Sequence, residues 1–212
     1  MIMKSPTEFL APNRSAFEAD PFGYAGLAWT RWAIAQNVAG LDVDPEKPPT
    51  SQDLKSPILW LSHAHALSEA AVRVIQGEPN LAHFPVLTKG ICHSQYFAVG
   101  LMLVGYSLEI CLKGMLILQK GVENYTAEEQ NHKHHNLARL AEFVPNLSKK
   151  DQVTLDLLTY YLIWAGRYPD PGSGREVQSE AIFKLSQQHA ITGKDLFSLA
   201  GRVMGHVRQV VG

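Results

Sequence analysis

The chain has 212 residues, long for one small domain and short for two full ones. Its 19 Lys and Arg against 20 Asp and Glu leave a formal net charge of -1, which excludes an overall basic field for long nucleic acid but not a local basic patch. Charged residues are only 18% and hydrophobic ones 46%. A soluble domain usually has about a quarter of its residues charged, so intrinsic disorder is excluded and much of this chain must be buried in a core or an interface.

In chain order, residues 23–38 carry Tyr24, Leu27, Trp29, Trp32 and Ile34 and predict an N-terminal helix. Residues 41–55, with Pro45, Pro48 and Pro49, read as a linker. Ser56-Pro57 offers an N-cap and a proline at the first helical position, opening a helix over 58–75. A second loop is expected at 77–85. A long helix over 90–120, apolar on nearly every side, reads as the centre of a bundle, and Gly121 ends it. Thr126-Ala-Glu-Glu129 suggests a capping box, and 135–144 a short helix facing inward with Leu137, Leu140 and Ala141. Ser148-Lys-Lys-Asp151 is another start signal, continued over 153–165. A third loop, 168–176, holds Pro169, Pro171, Gly172 and Gly174; the last helix is expected over 194–211. Alternating β-branched runs are absent, so the fold class is all-α, a helical bundle.

Cys92 and Cys111 fall in the long helix. Nineteen residues at about 1.5 Å each separate them by roughly 28 Å, too far for a disulfide. They read as buried free thiols of a reducing, cytoplasmic setting; neither has an evident activating partner. The N-terminus lacks the plan of a signal peptide. The longest apolar run, 97–108, falls short of the roughly 20 residues a bilayer requires, so no membrane-spanning helix is expected. Trp29, Trp32, Trp60 and Trp164 read as anchors of a core or a dimer interface. No phosphate-binding glycine loop appears.

Glu109 and Lys113 stand out. They sit four apart in the most apolar helix, with Glu first, the favourable order for an ion pair. Charges there require pairing or solvation, so this face borders a polar cleft or the pair is a buried strut. Arg167 is the leading ligand candidate: a planar fork of donors suits phosphate, and Tyr168 beside it offers a ring for a base. The competing reading pairs Arg167 with a carboxylate such as Glu109. His132, His134 and His135 prompt a metal reading, weakened by Lys133 and the lack of a nearby Cys; His63 and His65 point to different helix faces. No metal and no cofactor is expected.

Taken together, Tyr106-Ser-Leu-Glu-Ile-Cys-Leu-Lys113, Gly121, His135-Asn-Leu137 through Leu140, Tyr161, Arg167-Tyr168-Pro169-Asp170 and the amphipathic stretch 194–211 stand in a fixed order. That set resembles the HEPN family (higher eukaryote and prokaryote nucleotide-binding domain) over residues 57–211. The resemblance implies an up-and-down helical bundle over 56–212, with residues 1–55 as a helical extension and Pro-rich linker outside it. Ribonucleases of the family carry an Arg and a His spaced further apart at the start of the last helix; here Arg202 and His206 lie well inside it. The Arg-Tyr-Pro-Asp segment resembles the branch without that motif, whose members are proposed to bind nucleotides or to partner nucleotidyltransferases. The resemblance therefore implies a non-catalytic nucleotide- or nucleic-acid-binding module, with Glu109, Lys113, Tyr161, Arg167, Tyr168 and Asp170 lining one cleft; the low charge content and the wide apolar coverage of residues 90–120 point to a homodimer. Two alternatives stay open. One is a metal-independent ribonuclease of toxin–antitoxin or defence type using Arg202 and His206. The other is a protein-interaction module, for example the partner of a nucleotidyltransferase. No membrane partner is expected.

Overall fold

The computed structural model describes residues 6–211, and no β-strand occurs among them. The protein is all-helical. Residues 1–5, the start of the expected extension, and residue 212 lie outside the described residues. The chain divides into two compact units, Met1–Leu59 and Trp60–Gly212. The division falls in the first turn of a helix rather than at Lys55.

The first unit holds α1 (Pro6–Leu10), α2 (Arg14–Ala19), α3 (Pro21–Gly26) and α4 (Ala28–Val38). Asn13 caps α2 by accepting the Ala16 N–H at 3.0 Å, and Asp20 caps α3 through the Gly23 N–H at 2.9 Å. The single helix expected over 23–38 is two. The chain tightens at Leu27, whose N–H bonds the Tyr24 carbonyl, next to Gly26, a weak helix former. Trp29 and Trp32 stack on each other at 4.8 Å, and Arg31 lies over the Tyr24 ring.

The second unit is built on α6 (Val86–Lys120). Around it stand α5 (Pro57–Gln76), α7 (Val122–Ala127), α9 (Leu137–Leu140), α10 (Lys149–Tyr160), α12 (Gly193–Gly205) and α13 (Val207–Val211). The short α8 (Glu129–His132) and α11 (Val177–Gln188) complete the unit. From Val104 to Ile117, α6 is buried on nearly all sides. Leu108, Leu112, Met115 and Ile117 meet Leu137, Leu155, Leu158, Leu162, Leu199 and Val203 in one core. Each such side chain contributes about 1.5–3 kcal/mol when taken out of water. The helix is longer than the apolar run that marks it. Its most apolar window has a mean hydropathy of 1.8, so it is long and apolar enough to cross a membrane, but 67% of that window is buried within the protein. Gly121, with φ of 78°, turns the chain out of α6.

Two helices open on reciprocal capping boxes, Ser148 with Asp151 on α10 as expected and Thr192 with Asp195 on α12. The two boxes are also cross-braced. Arg202 of α12 pairs with Asp151, and Lys150 of α10 pairs with Asp195 at 2.7 Å. Burial tends to raise the Asp151 carboxyl, but Ser148 and Arg202 together hold it below the ordinary aspartate range.

Three expectations are corrected. Thr126 does not open a capping box; it already lies inside α7, and its hydroxyl donates back to the Val122 carbonyl at 2.6 Å. The helix expected over 135–144 is a single turn, α9, capped by Asn136. The last helix is interrupted at His206, which separates α12 from α13. α11, which follows the Pro- and Gly-rich loop, was not anticipated.

Candidate functional site

The residues expected to line the nucleotide cleft fall mainly at two separate places on the second unit. The first is on the buried half of α6. Glu109 is nearly inaccessible, with 5% of its side chain exposed. One carboxylate oxygen accepts from Lys113 Nζ at 2.7 Å, and the other is 2.9 Å from His135 Nδ1. An ionised carboxylate can only accept, so in this contact His135 Nδ1 is the donor. Both oxygens are thus engaged and the charge is offset, as burial demands. Here the arrangement is a strut joining α6 to the segment before α9, not an open cleft wall.

Around this strut the other two histidines are held below their ordinary value. For His132 and His134 the main cause is burial, aided by nearby cations including Lys113 and Arg139. His132 stacks flat on Tyr125 at 5.3 Å, and the Tyr125 hydroxyl is pushed up to about 12, chiefly by burial. His132 Nε2 lies 3.9 Å from Glu128, beyond hydrogen-bonding distance, and is buried without a partner. The linkage has a definite sign. As pH falls through 6.5, the unfolded chain takes up protons that these two folded rings resist. Stability is expected to be full above that value and to decline below it. Thermal melts between about pH 8 and pH 5 check this, and His132→Gln should make the decline shallower. A midpoint that does not move over that range contradicts the reading.

The second place is the end of α10. Here the helix widens into a π turn over Tyr161–Ala165, closed by the Gly166 N–H bonding to the Tyr161 carbonyl at 3.1 Å. Single π turns of this kind recur at functional sites. The widened turn carries the chain to Arg167 and Tyr168 just before Pro169 stops it. Arg167 is exposed, forms no ion pair among the described residues, and lies 5.3 Å from the Tyr168 ring. It stands at a cavity of about 650 Å³ between α6, the π turn and α11. Tyr161, Trp164, Tyr168 and Phe183 give that cavity its aromatic walls; Ser94 and Gln95 add polar groups. The Tyr161 hydroxyl is raised by burial and has no hydrogen-bond partner among the described residues.

The six residues expected to share one cleft are therefore divided. The cavity touches α6 only as far as Val99, ten residues before Glu109, about 15 Å along the axis. Tyr161, Arg167 and Tyr168 come together; Glu109 and Lys113 belong to the strut; Asp170 lies outside the cavity lining, its carboxylate accepting the Gly172 N–H at 2.6 Å. Arg167 does not pair with Glu109. Residue-by-residue reading missed His135 as the second partner of Glu109, although it stands in the ordered set. It also missed Ile182 and Phe183 of α11, whose signal was the apolar spacing of Ala181, Ile182 and Leu185.

Arg202 and His206 are committed elsewhere. Arg202 binds Asp151 and the Ser198 hydroxyl, and His206 Nδ1 contacts Gln209 Oε1 at 2.8 Å. No group of three or more His, Cys, Asp or Glu placed to hold a metal occurs among the described residues. The buried Cys111 thiol is pushed up to about 12 by burial, which makes it a poor nucleophile at neutral pH.

Comparison with family models, with curated proteins and with solved structures gives no match to this chain.

Proposed function

We propose that the protein is a non-catalytic, HEPN-like nucleotide-binding module that works as a homodimer, with the Arg167 cavity as its ligand site. One observation carries the reading: an exposed guanidinium without a carboxylate partner beside an aromatic-walled cavity. A volume of about 650 Å³ lies within the range of small-molecule sites, roughly 300–1,000 Å³. The guanidinium fork suits a phosphate, and Tyr168 and Phe183 suit the face of a base. The engagement of Arg202 with Asp151 favours binding over phosphodiester cleavage, because that fork is already occupied. The low charge content and the exposed Val86, Leu87 and Ile91 of α6 support self-association.

The test is calorimetric titration with adenine and guanine nucleotides. Arg167→Ala is expected to weaken nucleotide affinity about tenfold or more, the loss of a charge-assisted hydrogen bond worth about 1.5–3 kcal/mol. Unchanged affinity removes the site from consideration. RNA cleavage abolished in His206→Ala would replace the reading with the ribonuclease one. A second reading, a protein-interaction module such as the partner of a nucleotidyltransferase, is favoured by the same exposed apolar residues together with Val177 of α11. Co-purification with another chain and no nucleotide-induced thermal shift would support it.

A further inference from the structure

A second, smaller pocket adjoins the first. It measures about 210 Å³ and lies between α6, α10, α11 and α12, open to solvent on the side of the exposed Thr192 and Gly193. Its walls are mostly apolar, with Leu101, Leu157, Leu158 and Leu196 among them. Two residues, Tyr161 and Ile182, line both this cavity and the one beside Arg167. The two spaces thus share a wall, and the ring of that wall belongs to the π turn. An apolar space of about 150 Å³ accepts a benzene-sized guest, so a pocket of this size has room for one substituted aromatic ring or a short acyl chain.

We propose that the two cavities form one two-part site, taking a nucleotide that carries an aryl or short acyl group. The phosphate lies at Arg167 and the apolar group reaches across Tyr161 into the second pocket. The proposal rests on the nucleotide reading of the Arg167 cavity and adds the class of ligand.

Gly193 supplies the test. It lines the second pocket at the first position of α12, is exposed, and a Cβ added there meets nothing within 4 Å. Gly193→Phe therefore sets a ring at the open mouth of the pocket without straining the backbone and leaves the Arg167 end intact. Binding is compared for ADP and for N-methylanthraniloyl-ADP, a fluorescent nucleotide bearing one aryl group. The wild-type chain is expected to prefer the aryl nucleotide by on the order of tenfold or more, with enhanced emission, from burial of the ring. In Gly193→Phe the preference disappears while ADP affinity is retained. Equal affinities in the wild type, or a preference that survives Gly193→Phe, overturn the proposal. If ADP itself does not bind, the nucleotide reading fails separately. The second pocket is then read with N-methylanthranilic acid alone: binding abolished by Gly193→Phe keeps the apolar subsite, and no binding rejects it.

Discussion

Glu109→Ala is expected to destabilise the second unit by about 3–5 kcal/mol, the cost of leaving a buried ion pair with one partner. The carboxylate is 5% exposed and Lys113 12%, so the remaining ammonium cannot reach bulk water without unpacking α6. His135, with 48% of its side chain exposed, rehydrates easily and adds little to the loss. Urea unfolding of the wild type and the variant measures the difference as a shift in midpoint at constant slope. The comparison that isolates the cause is the double variant Glu109→Leu with Lys113→Leu. Replacing both charges by apolar groups of similar volume is often neutral or stabilising, so it should recover most of the stability. A loss below about 1 kcal/mol in Glu109→Ala would place the pair among solvent-screened surface contacts and remove the strut. The strut also predicts a null result elsewhere. Folded Glu109→Gln should bind nucleotide as the wild type does, because Glu109 lies away from the Arg167 cavity.

That separation shows which part of the site was legible in the sequence. The four-residue spacing placed Glu109 and Lys113 on one helix face, and the structure has them bonded. Spacing within a helix says nothing about which level of a neighbouring helix lies opposite. Here a Cβ at Gly105 would touch Leu162, and one at Gly166 would touch Met102 and the Ala98 carbonyl. The end of α10 therefore runs antiparallel along α6, and each step toward Arg167 moves away from Glu109. One cleft containing all six residues required the opposite direction. The fold was more legible than the site, because α6 announces itself by 35 residues without a breaker other than glycine. α11 stayed hidden for the converse reason. It buries no residue fully, so its apolar signal is thin, and it follows a loop rich in proline and glycine. The cap signals at Ser148 and Thr192 act through local hydrogen bonds alone; the Ser148 box was anticipated, and that at Thr192 became evident only in the structure.

Gly166→Ala is the second change with a large expected effect, and its sign runs against helix propensity. In an open helical position, alanine is worth about 0.5–1 kcal/mol over glycine. Gly201 of α12 offers that case, since a Cβ there meets nothing within 4 Å, and Gly201→Ala is expected to stabilise by about that amount. At Gly166 a Cβ would lie 2.5 Å from the Met102 Cβ and 3.0 Å from both the Ala98 and Tyr161 carbonyl oxygens. Two of these neighbours are backbone and the third is rooted to it, so none can rotate aside. The π turn must then move off α6, at a cost of about 1–3 kcal/mol for an overpacked contact. Arg167 is the next residue, its N–H bonded to the Trp164 carbonyl at 2.8 Å within that same turn. Displacing the turn displaces the guanidinium, so Gly166→Ala should lower nucleotide affinity as well as the melting temperature. Gly201→Ala should raise the melting temperature and leave affinity alone. If the two variants behave alike, the close approach of the π turn to α6 is wrong, and with it the placement of Arg167 beside the cavity.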